Sequence, residues 1–225
     1  MKKVSLLITC VMLFEVALFA QKNKPVKMEA APVERMVLIR TDYGDMKVKL
    51  YNATPQHRDN FVKLVKAGFY DSLLFHRVIK TFMIQGGDPL SKHAPPGQML
   101  GNGDNGYTIP AEFVDSIYHK KGALAAARTE NPAKASSGCQ FYIVQGQTYG
   151  EEQLNMIDKQ KGTKMSAKER KDYSTIGGTP SLDGAYTVFG EVVEGLDVID
   201  KIAAVQTAPG DRPVKDVHMK MKMLN

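Results

Sequence analysis

Histidines and cysteines, the side chains best suited to covalent or metal chemistry, are few and scattered in this chain of 225 residues. The five histidines, His57, His76, His93, His119 and His218, include no His-x-x-x-His and no Cys/His pair of the kind that builds a metal site. Cys10 lies in an apolar N-terminal run, which leaves Cys139 alone, and a lone cysteine reads as a small buried residue rather than a nucleophile. The Gly/Asn/Asp stretch Gly101 to Gly106 lacks the Lys-Ser/Thr of a phosphate cradle. Its Asn102, Asp104 and Gly106 echo a calcium loop only faintly, so it reads as a turn. No metal and no cofactor is expected. The polar and aromatic side chains concentrate instead in Phe75-His76-Arg77-Val78-Ile79, in Phe82-Met83-Ile84-Gln85-Gly86-Gly87-Asp88 and in Gln140-Phe141-Tyr142.

Those stretches need a framework, and local pattern supplies one. Met36 to Ile39 and Met46 to Tyr51 are β-rich, the second alternating apolar and charged residues, with Asp42-Tyr43-Gly44-Asp45 as the turn of a hairpin. Thr54-Pro55 opens a helix, Thr54 as its cap, with Phe61, Leu64 and Val65 on one stripe and Gly68 as its stop. Short strands then follow with Gly-rich turns: Phe75 to Ile79, Phe82 to Gln85, Ala123 to Arg128, Gln140 to Val144 and Thr187 to Val193. Leu196, Ile199, Ile202 and Ala203 have helical spacing, and Val217, Met219, Met221 and Met223 alternate as in a closing strand. The pattern is that of an antiparallel barrel or sandwich with two covering helices. Gly150 to Lys171 breaks it: charged, without strand signals and rich in helix formers, it reads as a helical surface insertion within about residues 146–180. Such an insertion is either a decorated loop or a partner- or substrate-selecting element beside a site.

An apolar fraction of 43%, with 24% charged residues of both signs, fits a folded soluble domain and excludes a disordered, collagen-like or coiled-coil chain. The formal charge of +6 is spread out, and its richest cluster, Lys159 to Lys171, is interleaved with acids, so no nucleic-acid partner is expected. Met1-Lys2-Lys3 followed by the apolar run Val4 to Ala20 resembles a secretory signal. The run is short and Glu15 is costly at membrane depth, which argues against a retained anchor; Leu7-Ile8-Thr9 before Cys10 fits a lipid-attachment signal poorly. The expected organisation is a signal over 1–20, a polar tether over 21–34 with Pro25 and Pro32, and one domain over 35–225. An exported protein, periplasmic or secreted, without stable membrane insertion follows from that signal.

The blocks Phe75 to Ile79 and Phe82 to Asp88 resemble the signature of the cyclophilin family of peptidyl-prolyl cis-trans isomerases. The resemblance continues in order through Tyr107-Thr108-Ile109-Pro110-Ala111-Glu112-Phe113, Gly122 to Ala127, Gly138-Cys139-Gln140-Phe141-Tyr142-Ile143, Leu182-Asp183-Gly184 and Val188-Phe189-Gly190. It implies a mainly β fold, a closed eight-stranded antiparallel barrel capped by two helices, with a peptide groove on its outer face. It also implies catalysis of X-Pro rotation in proline-containing unfolded or loop segments of client proteins, by a protein that is monomeric by family default. On the matching positions, Arg77, Phe82 and Gln85 are implied as catalytic, and Met83, Ala127, Arg128, Gln140, Tyr142, Leu182 and Tyr186 as substrate-binding. The alternative is a non-catalytic proline-peptide-binding module or chaperone using the same groove or the insertion. Four positions depart from the familiar pattern: Ser181 replaces a bulky Trp or Phe, Tyr142 a Phe, Tyr186 a His and Arg128 an Asn. Ser181 should open the rim and weaken binding of the macrocycle cyclosporin.

Overall fold

The computed structural model describes residues 34–224. The expected signal 1–20 and nearly all of the tether lie outside the described residues. Within them the elements run β1 (Arg35–Thr41), β2 (Gly44–Leu50), α1 (Pro55–Lys66), β3 (Arg77–Ile79), β4 (Met83–Gly86), β5 (Thr108–Ile109), β6 (Ala123–Ala126), β7 (Ser136–Ser137), β8 (Phe141–Val144), α2 (Glu151–Lys161), α3 (Ala167–Thr175), β9 (Val188–Glu194), α4 (Leu196–Ala203) and β10 (Met219–Met223).

Eight strands form one antiparallel sheet in the order β10-β1-β2-β9-β6-β8-β4-β3, and β5 pairs separately with β7. The sheet curls into a half-barrel and does not close as expected: β3 and β10 are its two edges and do not pair with each other. The cause is local. β3 is three residues long, and its Val78 N–H is taken at 2.8 Å by the Asp211 carbonyl, in the loop that precedes β10. The segment before β3 meets the start of β10 instead, with Phe75 N donating to Val217 O and Met219 N to Leu73 O, each at 2.9 Å.

Period-two alternation decides what each strand buries. In β2, Met46, Val48 and Leu50 point inward while Lys47 and Lys49 face out. The central strands β6 and β8 are buried on both faces. Leu124, Ala126, Phe141 and Ile143 join the main core inside the curl, while Ala123, Ala125, Tyr142 and Val144 join a second apolar layer outside it. Aromatic rings fill the inner core, Phe61 and Phe141 meeting edge-on with centroids 5.6 Å apart.

Two helices cover the sheet. α1 buries Phe61, Leu64 and Val65 beside β9 and β10. Its expected cap differs, because the Thr54 hydroxyl makes no capping bond. The Glu112 carboxylate arrives instead, accepting from Gln56 N at 3.0 Å and His57 N at 2.9 Å; a carboxylate satisfies two free amides where a hydroxyl satisfies one, and it complements the helix dipole. α4 lies over β2, β3 and β4 and buries Val198, Ile199, Ile202 and Ala203, leaving Leu196 exposed.

The insertion is a helical pair, α2 and α3, with Leu154 and Tyr173 fully buried against Tyr118. The Ser166 hydroxyl accepts from Glu169 N at 3.2 Å while the Glu169 carboxylate accepts from Ser166 N at 2.6 Å, a reciprocal cap that starts α3. Arg170 pairs with Glu151 and Asp158 of α2, so much of the insertion's charge is spent internally.

Phe141 carries the inner core on a strand whose neighbours serve the outer layer. Phe141→Ala is expected to destabilise the fold by about 3–5 kcal/mol, read as a lowered urea midpoint; a change under about 1 kcal/mol would refute its place at the centre of the packing.

Candidate active site

The sheet register lines up one row of outward side chains across four strands. Arg77 of β3 stands opposite Gln85 of β4, Gln85 opposite Tyr142 of β8, and Tyr142 opposite Ala125 of β6. Close approach of β4 to β8 depends on glycine: Gly87 has φ +93°, and a side chain there would meet the Cys139 carbonyl at 2.3 Å. Of the outer-layer alanines Ala123, Ala125 and Ala127, Ala127 reaches the space in front of that row.

A cavity of about 160 Å³ results. It is lined by nine of the ten residues singled out in the sequence: Arg77, Phe82, Met83, Gln85, Ala127, Arg128, Tyr142, Leu182 and Tyr186. Met83 and Tyr142 are buried at its floor, and Phe82, Leu182 and Tyr186 pack partly buried around it. Gln140 lies outside this cavity, in an adjoining groove of about 590 Å³ that shares Gln85, Ala127 and Arg128.

The polar side chains form one directed series. Arg77 Nη1 points at Gln85 Oε1 (3.4 Å), Gln85 Nε2 donates to Gln140 Oε1 (3.0 Å), and Gln140 Nε2 donates to the carbonyls of Gly101 (2.9 Å) and Gly103 (2.7 Å). Arg77 keeps 42% of its side chain exposed and is steadied from the other side by Asp211 at 3.3 Å. Arg128 donates to Ala185 O at 3.0 Å and lies over the Tyr186 ring, 4.6 Å from its centroid.

Asp211 was not legible as a site residue: it is 134 positions from Arg77 and carries no local motif. His119 and Tyr173 carry no local motif either: His119 meets the Tyr142 hydroxyl directly, and Tyr173 is linked to His119 through Asp183. Cys139 is buried, and desolvation pushes its thiol up to about 11, so it is no nucleophile at neutral pH. The arrangement places a cation and aligned amides beside an apolar hollow.

Residues 36–223 match the family model for cyclophilin type peptidyl-prolyl cis-trans isomerases. The chain belongs to this family. A Staphylococcus aureus protein provisionally named a peptidyl-prolyl cis-trans isomerase is 36% identical over 200 residues, covering 88% of this chain and 94% of that one. A Streptococcus pyogenes protein provisionally named a bifunctional phosphatase/peptidyl-prolyl cis-trans isomerase is 38% identical over 189 residues, which are 80% of this chain and 37% of its relative's length. Among solved structures, a Cryptosporidium parvum cyclophilin type isomerase shares the fold at a TM-score of 0.62 with 22% identity, covering 86% of this chain and 99% of that one. A second structure of that protein, in the presence of the dipeptide Ala-Pro, matches at 0.60 and 23%, covering 84% and 99%.

Next to Arg77 this cyclophilin-type chain buries His76, 2% exposed, with neither ring nitrogen bonded to the protein. Desolvation, reinforced by the Arg77 charge and opposed by Asp88, pushes its pKa down to about 4. Unfolded histidine takes a proton near pH 6.5, so the unfolded chain binds more protons throughout the interval between. Stability should therefore be full above about pH 6.5 and fall as pH drops toward 4, by on the order of 3 kcal/mol from this residue. Denaturation of wild type and His76→Gln at pH 7 and pH 4.5 checks it: the wild type should lose more, and equal losses would contradict the assignment.

Proposed function

We propose that the protein catalyses cis-trans rotation of X-Pro bonds in exported client proteins, by electrostatic stabilisation of the twisted amide. Amide resonance sets a barrier of about 18–20 kcal/mol. At the twisted geometry the prolyl nitrogen leaves conjugation and its lone pair localises, so a donor aimed there binds that state better than either planar isomer. The observation that carries this reading is the single cross-strand row that brings Arg77 to the rim of the cavity lined by Phe82, Met83, Tyr142 and Leu182. In this mechanism the apolar walls hold the pyrrolidine ring while the preceding carbonyl turns. Gln85 and Gln140 anchor substrate backbone. Arg77 supplies the N–H donors, and its guanidinium is always charged and rigid. Nothing is covalently bound and no cofactor is required.

Clients are proline-containing unfolded or loop segments, for which uncatalysed isomerisation takes tens to hundreds of seconds and limits folding. Export rests on the apolar run at 4–20 behind Lys2 and Lys3; among the described residues no helix is long and apolar enough to cross a membrane. A periplasmic or secreted monomer, without nucleic-acid partners, completes the proposal.

Exchange NMR on an Ala-Pro peptide tests it. The wild type should accelerate exchange, and Arg77→Ala, folded by circular dichroism, should lose about 10²–10³-fold in kcat/KM, with Arg77→Lys recovering only part. A folded wild type that leaves exchange unchanged would leave the groove as a proline-peptide binding surface and end the catalytic reading.

Ser181 is exposed, immediately before Leu182. Ser181→Trp should tighten cyclosporin binding by about tenfold or more, because burying an indole face contributes on the order of 1–2 kcal/mol. Calorimetric titration reads this, and an unchanged Kd would mean that the rim is set elsewhere.

A further inference from the structure

A tyrosine at the floor of a pocket for an apolar ring is useful only if its hydroxyl is satisfied somewhere else. Tyr142 is 5% exposed, and its Oη lies 2.9 Å from His119 Nε2, pointing away from the cavity. The other ring nitrogen, Nδ1, is 2.8 Å from Asp183 Oδ1, which also accepts from His119 N at 2.8 Å. A carboxylate only accepts, so Nδ1 carries a proton, and in that tautomer Nε2 presents its lone pair to the Tyr142 O–H. Asp183 Oδ2 is held by the hydroxyl of Tyr173 at 2.6 Å. His119 and Tyr173 are buried, at 1% and 0% exposure. Tyr173 belongs to α3 of the insertion. From α2, Lys161 Nζ donates to Pro180 O (2.9 Å) and Asp183 O (2.8 Å), fastening the turn that carries Leu182.

We propose that the insertion is a working part of the proline pocket: Tyr173 is a positioning residue which, through Asp183 and His119, fixes the Tyr142 hydroxyl away from the cavity and so sets the face that ring offers to the substrate. The inference deepens the isomerase reading and rests on it for its kinetic consequence. Without the Tyr173 hydroxyl, Asp183 Oδ2 loses this donor and the carboxylate is held through Oδ1 alone, by the two donors of His119. The His119 tautomer and ring orientation, and with them the acceptor of the Tyr142 O–H, are then less tightly fixed.

Tyr173→Phe removes one oxygen from this series. In a double-mutant cycle with Tyr142→Phe, the single change should lower kcat/KM for an Ala-Pro peptide by about 2- to 10-fold, the range of one hydrogen bond, and should cause no further loss once Tyr142 is Phe. In parallel, nitrogen-15 NMR of the His119 ring should report the Nδ1–H tautomer in the wild type and a mixture in Tyr173→Phe. Equal kinetic losses in both backgrounds, or unchanged His119 signals, would overturn the proposal. A wild type without isomerase activity would overturn the catalytic reading alone; the same cycle is then read on the Kd of the Ala-Pro peptide, with the same expected non-additivity. Should Tyr173→Phe fail to fold, His119→Gln cuts the series one link nearer the pocket and enters the cycle in its place.

Discussion

Everything at the candidate site depends on the antiparallel register of β3, β4, β8 and β6. Side chains in a strand alternate between faces, so a slip of one residue would exchange the inner and outer sets along the whole strand. Such a slip would carry Arg77 and Gln85 toward the inner core and expel Val78 and Ile84, both now buried. Each expelled aliphatic side chain costs about 1.5–3 kcal/mol, and an unpaired buried guanidinium costs more. The inner core therefore enforces a geometry in which it takes no chemical part. The glycine at position 87 adds a steric limit, since β4 cannot sit at its observed distance from the end of β8 with a side chain there.

Short-range pattern was legible in the sequence wherever one face of an element meets water. The alternation in β2 and β10, the proline start of α1 and the stripe of α4 all have that origin, and the structure contains each of them. Nine of the ten candidate residues gather at one cavity, and four of them, Arg77, Met83, Gln85 and Tyr142, sit on strands whose phase the core dictates; the other five lie in the segments beside those strands. Legibility ended where partners are distant in the chain. Glu112 takes over the cap of α1 across 55 positions, Asp211 reaches Arg77 across 134, and a loop rather than a strand occupies the edge of β3. None of these leaves a periodic trace. In the insertion, the charged composition suggested a helical surface element and concealed that Tyr173 is fully buried.

The charges around the site follow the same economy. Arg77 is held by one half-exposed carboxylate at 3.3 Å, a pair that orients the guanidinium without enclosing it. His76 behind it is kept neutral by burial at neutral pH. The aromatic and aliphatic walls come from segments before and after the strands as well as from the strands.

The separation of inner core from outer layer has an evolutionary consequence. Adjacent residues of one strand, such as Phe141 and Tyr142 or Leu124 and Ala125, belong to different apolar clusters that share a backbone and little else. Substitutions on the outer face can change the size or polarity of the hollow while the packing inside is untouched. The two layers can thus drift at different rates, and a lineage can diversify the peptides it accepts without first accumulating spare stability.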